Sequence, residues 1–372
     1  MINKENNPKK LTVCYFGFYE PDFSRNQVYI DGLKKNGVEV VECNDFSKSK
    51  FLKYRNLYRE HWKIRKKYDL MIVSHIWRTT NLSDHFAVPF AKLISRKKII
   101  HNAMCSNYEA AILCREVAKQ GSFRAKLYWM ADYLACHYAS LILVETEEQK
   151  KFYIKNFKIN EKKCIRMWTG ANDKDFFIEP VNKNEKFTVV LRGGLLPETG
   201  IEYVLKAAKK LEDEGVNFLI LGWAKTEKIE KNIEEIMRNK GPKNLKFITE
   251  YLPLENLRKT MLSHHASLGQ FGNHERIERT IPHRAFESLA LGLPYITAEA
   301  AGVKELLTNR VNCLFVKRAN PNDLAEKILE LRDSPELRKK IAENGYKLYK
   351  EKLTPKVLGE ELLSICHRLI KN

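Results

Sequence analysis

Apolar runs of four to six residues alternate with longer amphipathic stretches through the first half of the chain. Residues 11–16, 38–42, 70–73, 98–101, 141–144 and 164–167 are rich in Val, Ile and Leu and are bounded by Gly, Asp or Asn. That is the pattern of strands buried on both faces. Helical periodicity fills the intervals 25–36, 48–67, 83–95, 122–138 and 145–156. The polar segment 173–186, with Pro180 and several Asn and Lys residues, breaks the alternation and reads as a linker. The order then begins again. Strands are predicted at 187–192, 216–221, 245–248, 266–269, 295–297 and 313–316. Helices are predicted at 200–214, 226–239, 254–263, 284–291, 321–332, 335–350 and 354–370. Alternation of this kind predicts an α/β protein of two doubly wound, Rossmann-like domains in tandem. The strands' carboxyl ends then border a cleft between the domains, where a ligand is expected. The expected division is 1–180 and 181–352, followed by a closing helix in 353–372.

Length agrees, since 372 residues exceed one ordinary core. No signal peptide is evident at the start, and no apolar run approaches the ~20 residues of a spanning helix. The eight cysteines form no Cys-x-x-Cys pair and mostly lie in apolar runs. They read as reduced, buried thiols, and the expected location is cytoplasmic. A net charge of +19 favours anionic partners, whether phosphorylated small molecules, a membrane surface or nucleic acid.

The most informative segment is 279–297. A loop, Arg279-Thr280-Ile281-Pro282, leads into a helix and then through Gly292-Leu293-Pro294 into a buried strand. Pro suits a helix start, and the free N–H groups of a first turn attract anions. Arg276, Arg279, His283 and Arg284 crowd the same place. Glu287 lies about one turn further along, where a carboxylate can accept bonds from two ribose hydroxyls. A nucleoside diphosphate fits this layout. The plainer alternative is an amphipathic helix with surface charges.

Phe286-Glu287-Ser288-Leu289-Ala290-Leu291-Gly292-Leu293-Pro294, with Gly302-Val303-Lys304-Glu305-Leu306 and Asn312-Cys313-Leu314-Phe315-Val316 after it, resembles the donor region of glycosyltransferase family 4. Upstream, Arg192-Gly193-Gly194-Leu195-Leu196-Pro197 resembles that family's phosphate loop, and Leu221-Gly222 the strand end that follows it. The first domain matches more loosely, through Phe16-Gly17, Asn36-Gly37 and Ile100-His101-Asn102. The resemblance implies a GT-B fold and a retaining transfer of sugar from a nucleotide-sugar, UDP- or GDP-linked, without a structural metal. It implies that the acceptor is a sugar, a glycan or a lipid-linked glycan. By the same likeness Glu287 holds the ribose, and the backbone of Thr280, Ile281 and Pro282 faces the phosphates. His101, just past a strand, faces the reacting sugar as the catalytic residue, and the last helix packs back toward the first domain. Three positions depart from the pattern. Arg279 stands where the family often carries the first of two glutamates. Gly194 and Thr199 stand where it offers Arg and Lys. Arg192, Arg279 or Arg284 is expected to supply the missing charge, because a departing diphosphate needs cationic stabilisation.

Gly17, Asp22 and Arg25, after the first strand, are candidate acceptor contacts; a turn glycine and a helix cap are the simpler readings. A lone histidine such as His101 is also often a packed residue. Residues 48–67 hold nine Lys or Arg against one acid, Glu60, with Phe51, Tyr54, Tyr58 and Trp62 at helical spacing. Such a helix suits peripheral contact with an anionic membrane, or ordinary packing of its aromatic face on the sheet. Two rival functions stand beside the transferase. One is a GT-B relative acting as epimerase, phosphorylase or non-catalytic binder. The other is a nucleic-acid-binding protein, disfavoured because no nucleic-acid motif is present and basic residues are spread over both halves.

Overall fold

The computed structural model describes residues 10–20, 23–45, 50–74 and 82–371. In the first domain six parallel strands run β1 (Thr12–Gly17), β2 (Glu39–Asn44), β3 (Leu70–Val73), β4 (Ile99–Met104), β5 (Leu141–Val144) and β6 (Cys164–Arg166), in the spatial order β2-β1-β3-β4-β5-β6. Its helices are α1 (Ser24–Lys35), α2 (Lys50–Ile64), α3 (Ala87–Ile94), α4 (Phe123–Tyr138) and α5 (Glu147–Phe157). The second sheet contains β7 (Phe187–Arg192), β8 (Val216–Leu221), β9 (Leu245–Ile248), β10 (Ala266–Leu268), β11 (Tyr295–Ala298) and β12 (Leu314–Val316), ordered β12-β11-β10-β7-β8-β9. It carries α6 (Ile201–Lys210), α7 (Glu227–Arg238), α8 (Leu254–Ser263), α9 (His283–Ala290), α10 (Ala301–Lys304), α11 (Pro321–Asp333) and α12 (Pro335–Lys352). The chain closes with α13 (Pro355–Lys371). Both sheets are parallel in every recorded pairing, and helices bury their apolar stripes on both faces of each.

On one face of the first sheet, Val28, Tyr29 and Leu33 of α1 pack with Leu358, Leu362, Ile365 and Cys366 of α13. The two helices touch backbone to backbone. A Cβ on Gly359 would lie 2.1 Å from the Gly32 carbonyl carbon, so only glycine allows this crossing. The same apolar cluster continues through Met167, Trp168, Ala171 and Phe176 to Leu257, Phe286, Leu289 and Tyr295 of the second domain. All eight cysteines are buried and unpaired.

Several elements differ from expectation. Strand β4 runs three residues beyond His101, because Asn102, Ala103 and Met104 remain in the sheet and β5 pairs alongside as far as Met104. The helix expected over 83–95 begins as a 3₁₀ turn, Leu82–Phe86, and becomes α-helical only at Ala87. Pro89 has no N–H to offer the carbonyl of residue 85, which favours the tighter turn there. The π-helical turn Glu109–Cys114 and the short α10 have no counterpart among the expected elements.

Candidate functional site

The second domain places its polar groups at the carboxyl edge of its sheet. Strand β7 ends at Arg192 and turns through Gly193, whose φ of +112° favours glycine. Gly222, after β8, lies so close that a Cβ on it would sit 2.0 Å from the Gly193 carbonyl oxygen. Gly194 follows, against the side chain of Lys225. This tight backbone brings the guanidinium of Arg192 over the start of α9, where it pairs with both carboxylate oxygens of Glu287. Glu287 is buried and Arg192 is partly open. Pro282 is the N-cap of α9, extended at φ −69° and ψ 144°.

Arg284, buried on the first turn, meets neutral acceptors only. Its guanidinium donates to the Gly269 carbonyl at 3.2 Å and the Thr199 hydroxyl at 3.4 Å. Burial lowers its pKa from the ordinary arginine value. Arg25 of α1 arrives from the first domain, fully buried. It donates to Asn102 Oδ1 at 2.7 Å, and to the Met167 carbonyl and the Thr169 hydroxyl at 3.0 Å each. Its Nη2 is buried without a partner. His283, the first residue of α9, packs its ring against Phe23 at 4.9 Å. Burial, then Arg25, Arg192 and Arg284, hold this imidazole down to about 3, so it is neutral at physiological pH. Arginines from both domains therefore converge on one helix start.

A second polar cluster lies deeper between the domains. Arg276 donates to Glu198 at 2.9 Å, to Glu109 at 3.1 Å and to Cys105 Sγ at 3.3 Å. Arg279 donates to Glu109 at 2.5 Å, and Arg115 approaches Glu198 at 3.4 Å. Glu109, Glu198 and Arg276 are almost wholly enclosed. Arg279, one of three arginines expected to supply charge to a diphosphate, is thus engaged by a first-domain carboxylate. The phosphate-facing role expected of the 280–282 backbone is also altered. The Ile281 N–H donates to the Glu145 carboxylate at 3.1 Å, and Thr146 donates to the Arg279 carbonyl at 2.6 Å. Thr280 turns its hydroxyl back on the Arg276 carbonyl. Glu145 also accepts from Thr169 at 2.5 Å, and burial raises its pKa.

His101 stands inside β4, not past its end. It borders a small space shared with Ser74, His85, Asn107 and Asp132, all of the first domain. Burial, then His85, hold it down to about 3, and its Nδ1 is enclosed without a partner. Gly17, at φ +139°, lies over Ser74, where a Cβ would come 2.6 Å from the hydroxyl. Asp22 lies outside the described residues. Glu109, Glu145 and Phe23 were not singled out from the sequence, and His283 was noticed only as part of a basic cluster.

The family described as glycosyl transferases group 1 matches residues 172–348, the stretch that contains β7, α9 and the arginines around them. Glu109 and Glu145, which bond to that stretch across the cleft, lie outside it. An uncharacterised glycosyltransferase of Methanocaldococcus jannaschii is 28% identical over 217 residues, 54% of this chain and 53% of that relative. The chain thus spans about half the length of that relative. The capsular polysaccharide biosynthesis glycosyltransferase CapM of Staphylococcus aureus is 23% identical over 270 residues, 67% of each chain. Among solved structures, Anabaena HepE in complex with UDP and glucose superposes with a TM-score of 0.69 at 14% identity, covering 96% of this chain and 100% of that one. That likeness supports the GT-B fold: two Rossmann-like domains across a cleft.

Proposed function

We propose that this chain is a retaining glycosyltransferase that moves a sugar from a nucleotide-sugar to a glycan or lipid-linked acceptor. Residues 1–180 serve the acceptor in this reading, 181–352 the donor, and 353–372 tie the two together. The observation that carries it is the convergence of Arg25, Arg192 and Arg284 on the start of α9. Oriented N–H groups and guanidiniums suit a diphosphate, whose charge grows as the sugar departs. Thr280, Ile281, Pro282, Gly193 and Gly194 border this space, and Arg279 acts behind it through Glu109. With guanidiniums in this role, the reading calls for no structural metal. Glu287 binds the ribose once Arg192 swings from its carboxylate toward the phosphates. Trp223, about half exposed beyond β8 with the Lys225 ammonium 4.0 Å from its ring, offers a face to the base. His101 serves the acceptor side. His101→Ala should slow transfer while leaving nucleotide affinity unchanged, and an unaltered transfer rate would remove it from the chemistry.

A thermal-shift and calorimetric screen of UDP-, GDP-, ADP- and CMP-sugars tests the reading. A UDP- or GDP-sugar should raise the melting temperature and yield a glycosylated product. Stabilisation by none of them would overturn it.

Peripheral contact with an anionic membrane on the cytoplasmic side completes the proposal. Tyr54 packs inward on Phe18 and Phe90, but Tyr58 and Trp62 of α2 are 45% and 53% exposed beside Arg59 and Lys63. No helix among the described residues is long and apolar enough to cross a membrane. Binding to phosphatidylserine vesicles should weaken with salt and with Trp62→Ala.

A further inference from the structure

His283 occupies an unusual position in this cleft. A buried polar atom normally finds a partner, yet Nε2 of His283 is enclosed without one, and so is Nη2 of Arg25. The charged groups facing the ring come from each element around it. Arg25 comes from α1, Arg192 from the end of β7, and Arg284 from α9. The nearby carboxylates are already taken. Glu287 is held by Arg192, and Glu145 reaches Arg25 only through the Thr169 hydroxyl. Phe23 packs against the ring and limits its movement. The imidazole is thus kept neutral by three cations, of which only Arg192 is directly paired with a carboxylate.

We infer that His283 takes up one proton from solvent when a diphosphate enters between Arg25, Arg192 and Arg284, and then donates a hydrogen bond to a phosphate oxygen. The inference rests on the nucleotide-sugar reading above. Its physical basis is the change in the sign of the local field. In the empty cleft three guanidiniums oppose an imidazolium, and burial opposes it too. A bound diphosphate brings two or more negative charges within hydrogen-bond range, closer than the cations it neutralises, and so favours the protonated ring. The new N–H then points at the group that gathers charge as the glycosidic bond breaks. His283 thereby becomes a fourth cationic contact that exists only while the nucleotide is bound.

Proton uptake is measurable without any variant. UDP and GDP would be titrated into the protein at pH 7.5, where their terminal phosphates are already mostly ionised. The titration would be run in HEPES and again in Tris, which differ in ionisation heat. The apparent binding heats should differ by an amount equal to roughly half to one proton taken up per nucleotide. Affinity should weaken toward pH 9, by up to about tenfold per unit once the ring's value in the complex is passed. His283→Asn keeps a polar group but cannot titrate. It should bind more weakly, with equal heats in both buffers and a flat pH profile. Equal heats in the unaltered protein, or uptake that persists in His283→Asn, would overturn the role of His283 while leaving the donor site standing. Failure of both nucleotides to bind would bring down the transferase reading together with this one.

Discussion

Two groups of buried arginines lie a short distance apart between the domains, and their surroundings are opposite in kind. Arg276 and Arg279 sit among carboxylates: Glu109 and Glu198 each accept from more than one arginine, although Glu198 Oε2 and Arg115 Nε are enclosed without a partner. Arg284 and Arg25 lean on carbonyls, two hydroxyls and an amide, with one guanidinium nitrogen left over. A buried charge with its counter-charge in place joins the domains. A buried charge without one raises the energy of the empty protein and lowers it when an anion arrives. The sequence places Arg276, Arg279 and Arg284 within a few residues of one another, while Arg25 comes from the first domain. What separates the two groups is the presence of carboxylate partners, Glu109 from the first domain and Glu198 from the second.

The comparison can be broken most easily at Arg276. Replacing it with Met leaves Glu109 to Arg279 and Glu198 to Arg115, and should cost up to about 3–5 kcal/mol of stability in urea unfolding. A loss below ~1 kcal/mol would mean that the cluster is not a structural joint. Acid offers a second approach. Burial works to raise Glu198, but Arg115 and Arg276 outweigh it and hold the carboxyl at about 2. A carboxyl depressed in the fold stabilises it above the unfolded value, near 4.3. That contribution, on the order of 3 kcal/mol, is lost as pH falls from there toward about 2. Glu198→Gln should flatten this part of the stability–pH curve, and an unchanged curve would count against the pairing.

The other group should behave in reverse. Arg284→Met should leave the melting temperature unchanged or slightly higher, because a guanidinium lacking a counter-charge is removed. It should weaken nucleotide binding by roughly 10–100-fold, the worth of a charge-assisted contact. A fall in stability with no change in affinity would place Arg284 in the structural group. Glu287→Gln should show the smallest effect, a loss of roughly tenfold in nucleotide affinity. If affinity rises instead, Glu287 serves mainly to hold Arg192 away from the ligand.

Much of the framework was legible because buried parallel strands leave uninterrupted apolar runs. Strands β7, β8 and β9 and helix α8 begin and end where the pattern predicts. Reading failed where polarity and burial part company. Asn102 ends the apolar run of β4, yet it lies inside the sheet, because Arg25 and Tyr15 satisfy its side chain. The site was half legible for a similar reason. The helix start, Arg192, Arg284 and Glu287 are close along the second domain and carry a recognisable pattern. The fate of Arg279 and Ile281 depends on Glu109 and Glu145, 170 and 136 residues away, and nothing local to either end announces the pairing.

The crossing of Gly32 and Gly359 has a consequence for how the protein is made. Helix α1 is complete once residue 35 has been synthesised, but its outer face is covered only by α13, about 320 residues later. At ~5–20 residues per second, a ribosome needs roughly 15–65 s to supply that cover. Throughout that interval the face of α1 around Gly32 lacks the helix that packs on it and stays open to the solvent or to a chaperone. A stop codon before residue 355 should therefore release not an independent first domain but a sticky, protease-sensitive one.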